Sequence, residues 1–182
     1  MTNEEYLELE KKLTLIAGVG DYSTNTACIM SAAVAKWRLS RNEPLGIATD
    51  KLECVCLVIR RFAIKLNDSN LFESNQHRTE ILMPFLDKII DTKSTRKVEQ
   101  KRLWLCADYA VRKFAVIALR NRFPEHAKIL ETLPEIVDKA TCLTAKEKSA
   151  YAADAAFAAA AYAKKELLSL TLELLTKMCE VK

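Results

Sequence analysis

The chain has 182 residues, of which 50% are apolar and 29% are charged, and its formal net charge is +4. This composition suits one domain over residues 1–182, because three glycines and four prolines are too few for a flexible linker. The basic residues are spread along the chain, which argues against a nucleic-acid binder, and no apolar run approaches the roughly 20 residues of a membrane span. The acidic first residues lack the order of a secretory signal, so we predict a cytoplasmic protein.

Apolar residues at three- and four-residue spacings predict helices throughout the first half of the chain. The predicted helices cover residues 4–16, 25–38, 50–67 and 76–91. Gly18 ends the first of them, and Asp50 with Glu53 has the arrangement of a capping box before the third. Pro84 removes a backbone donor and therefore predicts a kink or a restart in the fourth.

The second half of the chain is also predicted to be helical. The predicted segments are a long helix from Ser94 or Thr95 to about 120, one or two short helices within 124–139, an alanine-rich helix over 149–164 and a leucine-rich helix over 167–178. Thr144 and Glu147 have the spacing of another capping box. No segment shows strict two-residue alternation, so we predict an all-α fold without a sheet, with six to eight helices in a bundle or a short stack of helix pairs.

The six cysteines all fall within apolar helical patterns, where a free cysteine behaves as a small apolar side chain. We therefore expect no disulfide framework. Cys54 and Cys56 would point about 200° apart on a helix, so they could not share a zinc ion. No metal and no cofactor are predicted.

Asp108 and Arg112 stand out in the long helix, because an acid and a base one turn apart interrupt a nearly continuous apolar girdle. Leu105, Val116 and Leu119 flank them on the far side. A buried pair of this kind is costly unless it is hydrogen-bonded. Two interpretations stay open: an intrahelical salt bridge that fixes helix packing, or a pair that lines a pocket whose ligand completes the hydrogen bonds.

Asp154 is the only acidic residue between Ala150 and Ala163, in a segment where helices should pack closely. It is either half of an ion pair between helices or a ligand-binding acid. The arginines that could partner it are Arg60, Arg61, Arg102 and Arg112. We expect Asp108, Arg112 and Asp154 to converge on one semi-buried polar pocket, because satisfying them together costs less than satisfying them separately.

Arg60 and Arg61 follow six uncharged residues on a predicted helix, so at most one of the two should face solvent freely. They could be a surface pair that spreads its aliphatic stems over apolar neighbours. Alternatively, arginines could contact phosphates while an aromatic ring stacks on a base, which would make the chain a binding protein for an anionic, nucleotide-like ligand held between helices. The further residues of that alternative are Arg102, Arg112, Trp104 and Tyr109.

Enzymatic signals are weak in this sequence. His77 and His126 are the only histidines, and neither has a cysteine or serine at a spacing typical of a nucleophile and its base. Metalloprotease, phosphate-loop and nucleophile-elbow motifs are also missing. We therefore predict no catalytic residues. An uncharacterised helical enzyme stays an alternative, with Asp108 or Asp154 as the acid or base.

Several stretches resemble a known family: the segment ACIMSAAVA at 27–35, residues 49–68, the segment RLWLCADYAVR at 102–112, and the alanine run near 149–164. The resemblance is to the Imm-5-like immunity proteins, helical proteins found in bacterial and phage genomes. It implies a small cytoplasmic protein that binds and neutralises a toxin or a defence effector. We therefore expect a non-catalytic protein-binding molecule of the immunity or anti-defence type.

Overall fold

The computed structural model describes residues 8–9, 11–149 and 163–182, and it divides the chain into two compact units, Met1–Ser94 and Thr95–Lys182. The single domain predicted for residues 1–182 stays a prediction. Asp154 and most of the predicted alanine-rich helix lie outside the described residues. None of the helices that the structure describes has both the length and the apolar character needed to cross a membrane.

Unit 1 is mostly helical with one small sheet. Its elements are β1 Thr14–Leu15, β2 Thr26–Ala27, α1 Ile29–Leu39, α2 Leu57–Asn67, α3 Asn75–Leu82 and α4 Leu86–Ile89, with 3-10 turns at Tyr22–Thr24 and Met83–Phe85. The predicted break at Pro84 is confirmed by the second of these turns. The largest fully buried side chains of the unit are Leu15, Ile29, Met30, Ile59, Leu82, Leu86 and Ile89.

The sheet corrects the prediction of a fold without strands. β1 and β2 pair in parallel, with Thr14 opposite Thr26, so the predicted first helix ends at residue 12 instead of 16. Two-residue strands are too short to show an alternating pattern in the sequence. Gly20 allows the pairing, because a Cβ at this position would lie 2.4 Å from the Cα of Ala27.

The start of α2 also differs from the prediction. The helix begins at Leu57 with Cys56 as its N-cap, so Asp50 and Glu53 form no capping box and the argument from helical rotation does not apply to Cys54 and Cys56. Long-range hydrogen bonds hold this stretch in an irregular conformation: Cys56 N–H donates to the Thr92 hydroxyl at 3.2 Å, and another backbone N–H donates to the Cys54 carbonyl at 2.8 Å. All six cysteines are thiols outside any disulfide.

The regular elements that the structure describes in unit 2 are all helices. They are α5 Arg96–Tyr109, a π-helical segment Ala110–Phe114, α6 Ala115–Leu119, α7 Pro124–Glu131, α8 Lys139–Ser149 and α9 Lys164–Glu180. The predicted long helix is confirmed as the continuous run from α5 to α6, and Thr95 caps it by accepting a hydrogen bond from Val98 N–H at 3.4 Å. Pro124 stands at the start of α7, as its missing N–H favours.

The predicted capping box at Thr144 and Glu147 is wrong, because α8 already begins at Lys139. Asp138 provides the cap, since its carboxylate accepts a hydrogen bond from Thr141 N–H at 2.9 Å. This backbone hydrogen bond lowers the pKa of the Asp138 carboxyl.

The core of unit 2 forms where α5, α6, α7 and α8 meet. Its buried residues are Leu119, Ala127, Leu130, Leu133, Ile136 and Ala145. Partly buried apolar side chains of α5 and its continuation cover this cluster, among them Trp104, Ala107 and Val111. The segment 132–138, which connects α7 to α8, therefore contributes two core residues and is not a loose surface loop.

Candidate functional site

Asp108 and Arg112 form an ion pair in which the aspartate is buried and the arginine half-buried. Arg112 Nε donates to Asp108 Oδ1 at 2.7 Å and Nη2 approaches Oδ2 at 3.4 Å, while the Arg112 side chain is 22% exposed and that of Asp108 is 5% exposed. This arrangement is the intrahelical salt bridge of the first interpretation. A pair so well withdrawn from water requires further hydrogen bonds to offset the cost of desolvation.

The connecting segment 132–138 supplies those hydrogen bonds. Arg112 Nη1 donates to the carbonyl of Leu133 at 2.9 Å, and Ile136 N–H donates to Asp108 Oδ1 at 2.9 Å. The ion pair thus binds the backbone of Leu133 and of Ile136, on either side of the short stretch between them. We call this arrangement the Asp108–Arg112 clamp. Because the chain itself completes these bonds, the clamp needs no ligand to be satisfied.

Arg112 lies within the π-helical segment Ala110–Phe114. Ala115 N–H donates to the carbonyl of Ala110, five residues earlier, which widens the helix locally. Such segments are frequent near functional positions. No feature of residue composition marks this widening, so the sequence predicts a regular helix here.

Arg102 binds the C-terminal end of α9. Its side chain is buried, with Nε donating to the carbonyl of Met178 at 2.9 Å and Nη2 to that of Val181 at 2.9 Å. These carbonyls lie at the C-terminus of α9, where helix carbonyls lack intrahelical partners and a cation is favourable. Arg102 is therefore engaged as a helix cap, whereas the sequence suggested a phosphate contact.

Tyr109 and Trp104 are the two rings that the sequence offered for stacking on a base, and that role stays a prediction. The Tyr109 hydroxyl donates to Glu173 Oε1 at 2.7 Å, and Lys177 Nζ lies 2.7 Å from the same oxygen and 5.3 Å from the tyrosine ring. Burial raises the pKa of Tyr109, and the hydrogen bond from Lys177 lowers the pKa of Glu173. Trp104 packs against the apolar core, so its ring contributes to folding.

Arg60 and Arg61 lie on α2 in unit 1. Arg61 is exposed, while Arg60 is half-buried and its Nε has no hydrogen-bond partner. Asp154 lies outside the residues that the structure describes. The predicted convergence of Asp108, Arg112 and Asp154 therefore stays a prediction, as does any grouping of Arg60 or Arg61 with them.

Two clefts of unit 1 present polar side chains. One, of about 470 Å³, is lined by Asp21, whose carboxylate already accepts hydrogen bonds from the Ser23 amide at 2.9 Å and its hydroxyl at 2.8 Å. The other, of about 570 Å³, contains Lys36 and Asp87, which are paired at 2.7 Å. The charged groups of both clefts are engaged in local structure, which does not favour acid–base chemistry at either.

The hairpin formed by α7, segment 132–138 and α8 exposes large apolar side chains that the sequence analysis missed. Ile129 on α7 is 46% exposed, Val137 is 56% exposed and Leu143 on α8 is 50% exposed. Their neighbours Leu130 and Ile136 are buried. In both apolar pairs, 129–130 and 136–137, only the packing decides which residue faces outward, so hydrophobicity alone could not identify the exposed one.

No protein-family model, curated protein sequence or solved structure matches the chain. The candidate residues therefore rest on the geometry of the described residues. The resemblance to the Imm-5-like immunity proteins stays a prediction.

Proposed function

We propose that this protein is a non-catalytic binding protein of the immunity or anti-defence type, which neutralises a toxin or effector protein by direct contact. The observation that carries the proposal is the α7–α8 hairpin, which exposes Ile129, Val137 and Leu143 while the Asp108–Arg112 clamp fixes the segment between its helices. The resemblance to the Imm-5-like family supports the same class of function, in the cytoplasm of a bacterial or phage-carrying cell.

The hairpin has the properties expected of a protein-binding surface. Burying a whole leucine or isoleucine side chain contributes about 1.5–3 kcal/mol, so each half-exposed anchor of the hairpin would add roughly 1 kcal/mol on binding. A few such anchors dominate the affinity of most protein interfaces. Because the clamp holds the connecting segment in place beforehand, binding would cost little further ordering of the backbone.

The two alternatives are a helical enzyme and a binding protein for a small anionic ligand. A helical enzyme would use Asp108 or Asp154 as acid or base, and Asp108 is already bonded to Arg112 and to Ile136 N–H. That arrangement favours a structural role for Asp108. A small anionic ligand is favoured by one specific observation, the unpartnered Nε of Arg60 on α2.

The test compares two variants in the cells from which the protein comes. The double variant Ile129→Asp with Leu143→Asp places charge on the hairpin, and Ile47→Asp is the matched control, because Ile47 is an 88% exposed apolar residue of unit 1. Each tagged chain is isolated and measured by native mass spectrometry, and its bound protein is identified. The affinity of that protein is then measured with purified components.

We expect a defined complex with the wild-type chain and with Ile47→Asp. The double variant should bind about 100-fold more weakly, because two anchors are lost and charge is buried in their place. Its circular dichroism spectrum and melting temperature should match those of the wild type, since the replaced side chains lie outside the core. Equal affinity of all three chains, or a chain that is isolated without any protein partner, would contradict the proposal.

A further inference from the structure

We infer that the α1–α2 helix pair of unit 1 carries a binding site for a phosphate group, formed by Trp37 and Arg60 with Arg41 beside them. The site is separate from the α7–α8 hairpin, so the inference goes beyond the proposed function and its failure would leave that proposal standing. Its starting point is a pair of buried hydrogen-bond donors, Trp37 Nε1 and Arg60 Nε, that have no acceptor.

Unpartnered buried donors are uncommon in folded proteins, because each costs much of the hydrogen bond that it makes in water. A third donor of this kind, Arg78 Nε, belongs to a side chain with other partners: its Nη1 bonds to Asn75 and its guanidinium lies 5.2 Å from the Phe72 ring. Arg60 has no such substitute contacts within the part of the chain that the structure describes. Arg60 therefore needs a different explanation, and so does the indole N–H of Trp37, which lacks an acceptor although Arg41 lies over its ring.

The packing of α1 and α2 puts Trp37 and Arg60 at similar distances from a hydrogen bond that joins the two helices. Ile29 N–H, at the start of α1, donates to Asn67 Oδ1, at the end of α2, at 3.1 Å, and the two helices pack against each other. Trp37 lies eight residues beyond Ile29 and Arg60 seven residues before Asn67. At 1.5 Å per residue they lie about 12 Å and about 10 Å from that hydrogen bond along the antiparallel pair.

The orientation of α2 supports the same placement. Residues three and seven positions after Arg60 fall on its face of the helix. They are Ala63 and Asn67, both fully buried at 0% exposure. Arg60 and Trp37 are both half-buried, so part of each residue reaches the surface beside its buried donor atom.

Arg41 defines the charge and shape of the site. Its guanidinium lies 4.3 Å from the centroid of the Trp37 ring, one turn further along the chain. Among the ion pairs of the described residues, none involves Arg41 or Arg60. Two arginines without carboxylate partners and an indole N–H form a set of donors with net positive charge, which suits an oxyanion.

A phosphate group fits this donor set better than a planar base does. Guanidinium groups match the oxygens of a phosphate with directed N–H donors. Arg41 already covers one face of the Trp37 ring, so that face does not offer a stacking platform for a nucleobase. The site is therefore assigned to the phosphate group of a ligand, and the indole contributes its N–H.

The test uses inorganic phosphate as the probe and the full chain. Trp104→Phe leaves Trp37 as the only tryptophan, so fluorescence then reports on the site itself. In this background Arg60→Gln removes one cation, and Arg61→Gln is the matched control, because it makes the same change of charge at the exposed neighbouring position. Sodium chloride of equal ionic strength controls for screening.

We expect a saturable change of Trp37 fluorescence with phosphate, and none with sodium chloride. Arg60→Gln should weaken phosphate binding about tenfold, and Arg61→Gln less than about twofold, because one charge-assisted hydrogen bond is lost only in the former. Equal weakening by both variants would overturn the inference, since it would indicate attraction to net charge alone. A response that does not saturate would overturn it as well.

Trp37→Phe provides a second measurement if Arg60→Gln does not fold. It keeps an aromatic ring under Arg41 and removes only the N–H donor. Calorimetric titration of this variant with phosphate, without the Trp104→Phe change, should show affinity about fivefold or more below that of the wild-type chain. Unchanged affinity would show that the indole does not contact the ligand and would contradict the site.

Discussion

Asn67 in unit 1 and Asp108 in unit 2 perform the same task with different chemistry. Each is a buried side chain, 0% and 3% exposed, and each accepts a hydrogen bond from the backbone N–H of an isoleucine far away in the sequence. The bond from Ile29 to Asn67 Oδ1 measures 3.1 Å, and that from Ile136 to Asp108 Oδ1 measures 2.9 Å. Asn67 thereby joins the end of α2 to the start of α1, and Asp108 joins α5 to the irregular segment 132–138.

The difference lies in how each side chain satisfies its remaining atoms. The Asn67 amide also has donors, and its Nδ2 bonds to the Ile16 carbonyl at 2.7 Å and to Asp68 Oδ1 at 2.9 Å. The ionised carboxylate of Asp108 can only accept hydrogen bonds, so it needs the Arg112 cation as a donor. A neutral amide can join two segments by itself, whereas a carboxylate needs a partner whose loss leaves a charge buried.

The largest effect should come from Arg112→Leu, which leaves the Asp108 carboxylate buried without its cation. We expect a loss of about 3–5 kcal/mol in the free energy of unfolding. The measurement is urea denaturation, with Arg120→Leu as control. Arg120 pairs with Glu166 but is 49% exposed, so that variant should lose less than about 1 kcal/mol. Equal losses in the two variants would remove the distinction between the clamp and a surface pair.

Asn67→Ala should have the next largest effect, about 2–4 kcal/mol, because it leaves Ile29 N–H and the Ile16 carbonyl without partners. Faster hydrogen exchange at the Ile29 amide should accompany it, while exchange at the Ile136 amide serves as an internal reference. Asn70→Ala, at an exposed position three residues later, should change neither quantity. A loss below about 0.5 kcal/mol would mean that water replaces the amide at this node.

Asp108→Asn sharpens the comparison, because it converts the charged side chain into the neutral one. We expect a loss of about 1–3 kcal/mol, since an amide oxygen can still accept from Ile136 N–H but no longer attracts Arg112 as an ion. Binding of the protein partner should weaken less than in the Ile129→Asp, Leu143→Asp variant. A greater loss of binding than that variant shows would indicate that Asp108 itself contacts the partner.

The smallest effect belongs to an exposed group. The hydrogen bond from Lys177, followed by that from Tyr109, lowers the pKa of Glu173 from its ordinary value of 4.5. A carboxyl whose pKa is depressed by folding contributes stability above its unfolded-state pKa and loses it as pH falls through the folded-state pKa. Glu173 is 47% exposed, so solvent screens the pair and its contribution at neutral pH is below about 1 kcal/mol.

Thermal denaturation of Glu173→Gln tests this sign. The variant should be slightly less stable than the wild type at pH 7, and the difference should shrink as the pH falls below 4.5 and through the folded-state pKa of Glu173. Glu8→Gln is the control, because Glu8 is also exposed and also pairs with a lysine, Lys11. A difference that grows on acidification would contradict the depressed pKa.

The sequence predicted those parts of the fold that depend on local preference. The long helix, the break at Pro84 and the leucine-rich α9 follow from periodicity and from the missing N–H of proline. Strands β1 and β2 and the irregular segment before α2 depend instead on bonds between residues far apart in the sequence, such as that from Cys56 N–H to Thr92. The capping box predicted at Asp50 therefore does not form, and the helix begins at Leu57.

The candidate site divides in the same way. Asp108 and Arg112 were recognisable because charge within an apolar girdle is conspicuous, but their bonds to segment 132–138 were not. Asn67 gave no signal, because an asparagine beside Asp68 is equally typical of a turn. The outward direction of Ile129 and the burial of the unpartnered donors of Trp37 and Arg60 depend on which neighbour each helix meets, which local sequence does not specify.

The π-helical segment Ala110–Phe114 has a consequence for how the length of this chain could change during evolution. A wide turn of this kind accommodates one more residue than an α-helix would in the same rise. Deleting a single residue there should restore regular α-helix while both flanks keep their orientation, because the wide turn itself takes up the extra residue. Ile117 and Leu119 would then stay in the core, and Asp108 would still face Ile136. Homologues that keep the clamp should therefore tolerate a one-residue gap within 110–114, whereas a gap within α5 or α6 would rotate one side of the helix by about 100° relative to the other.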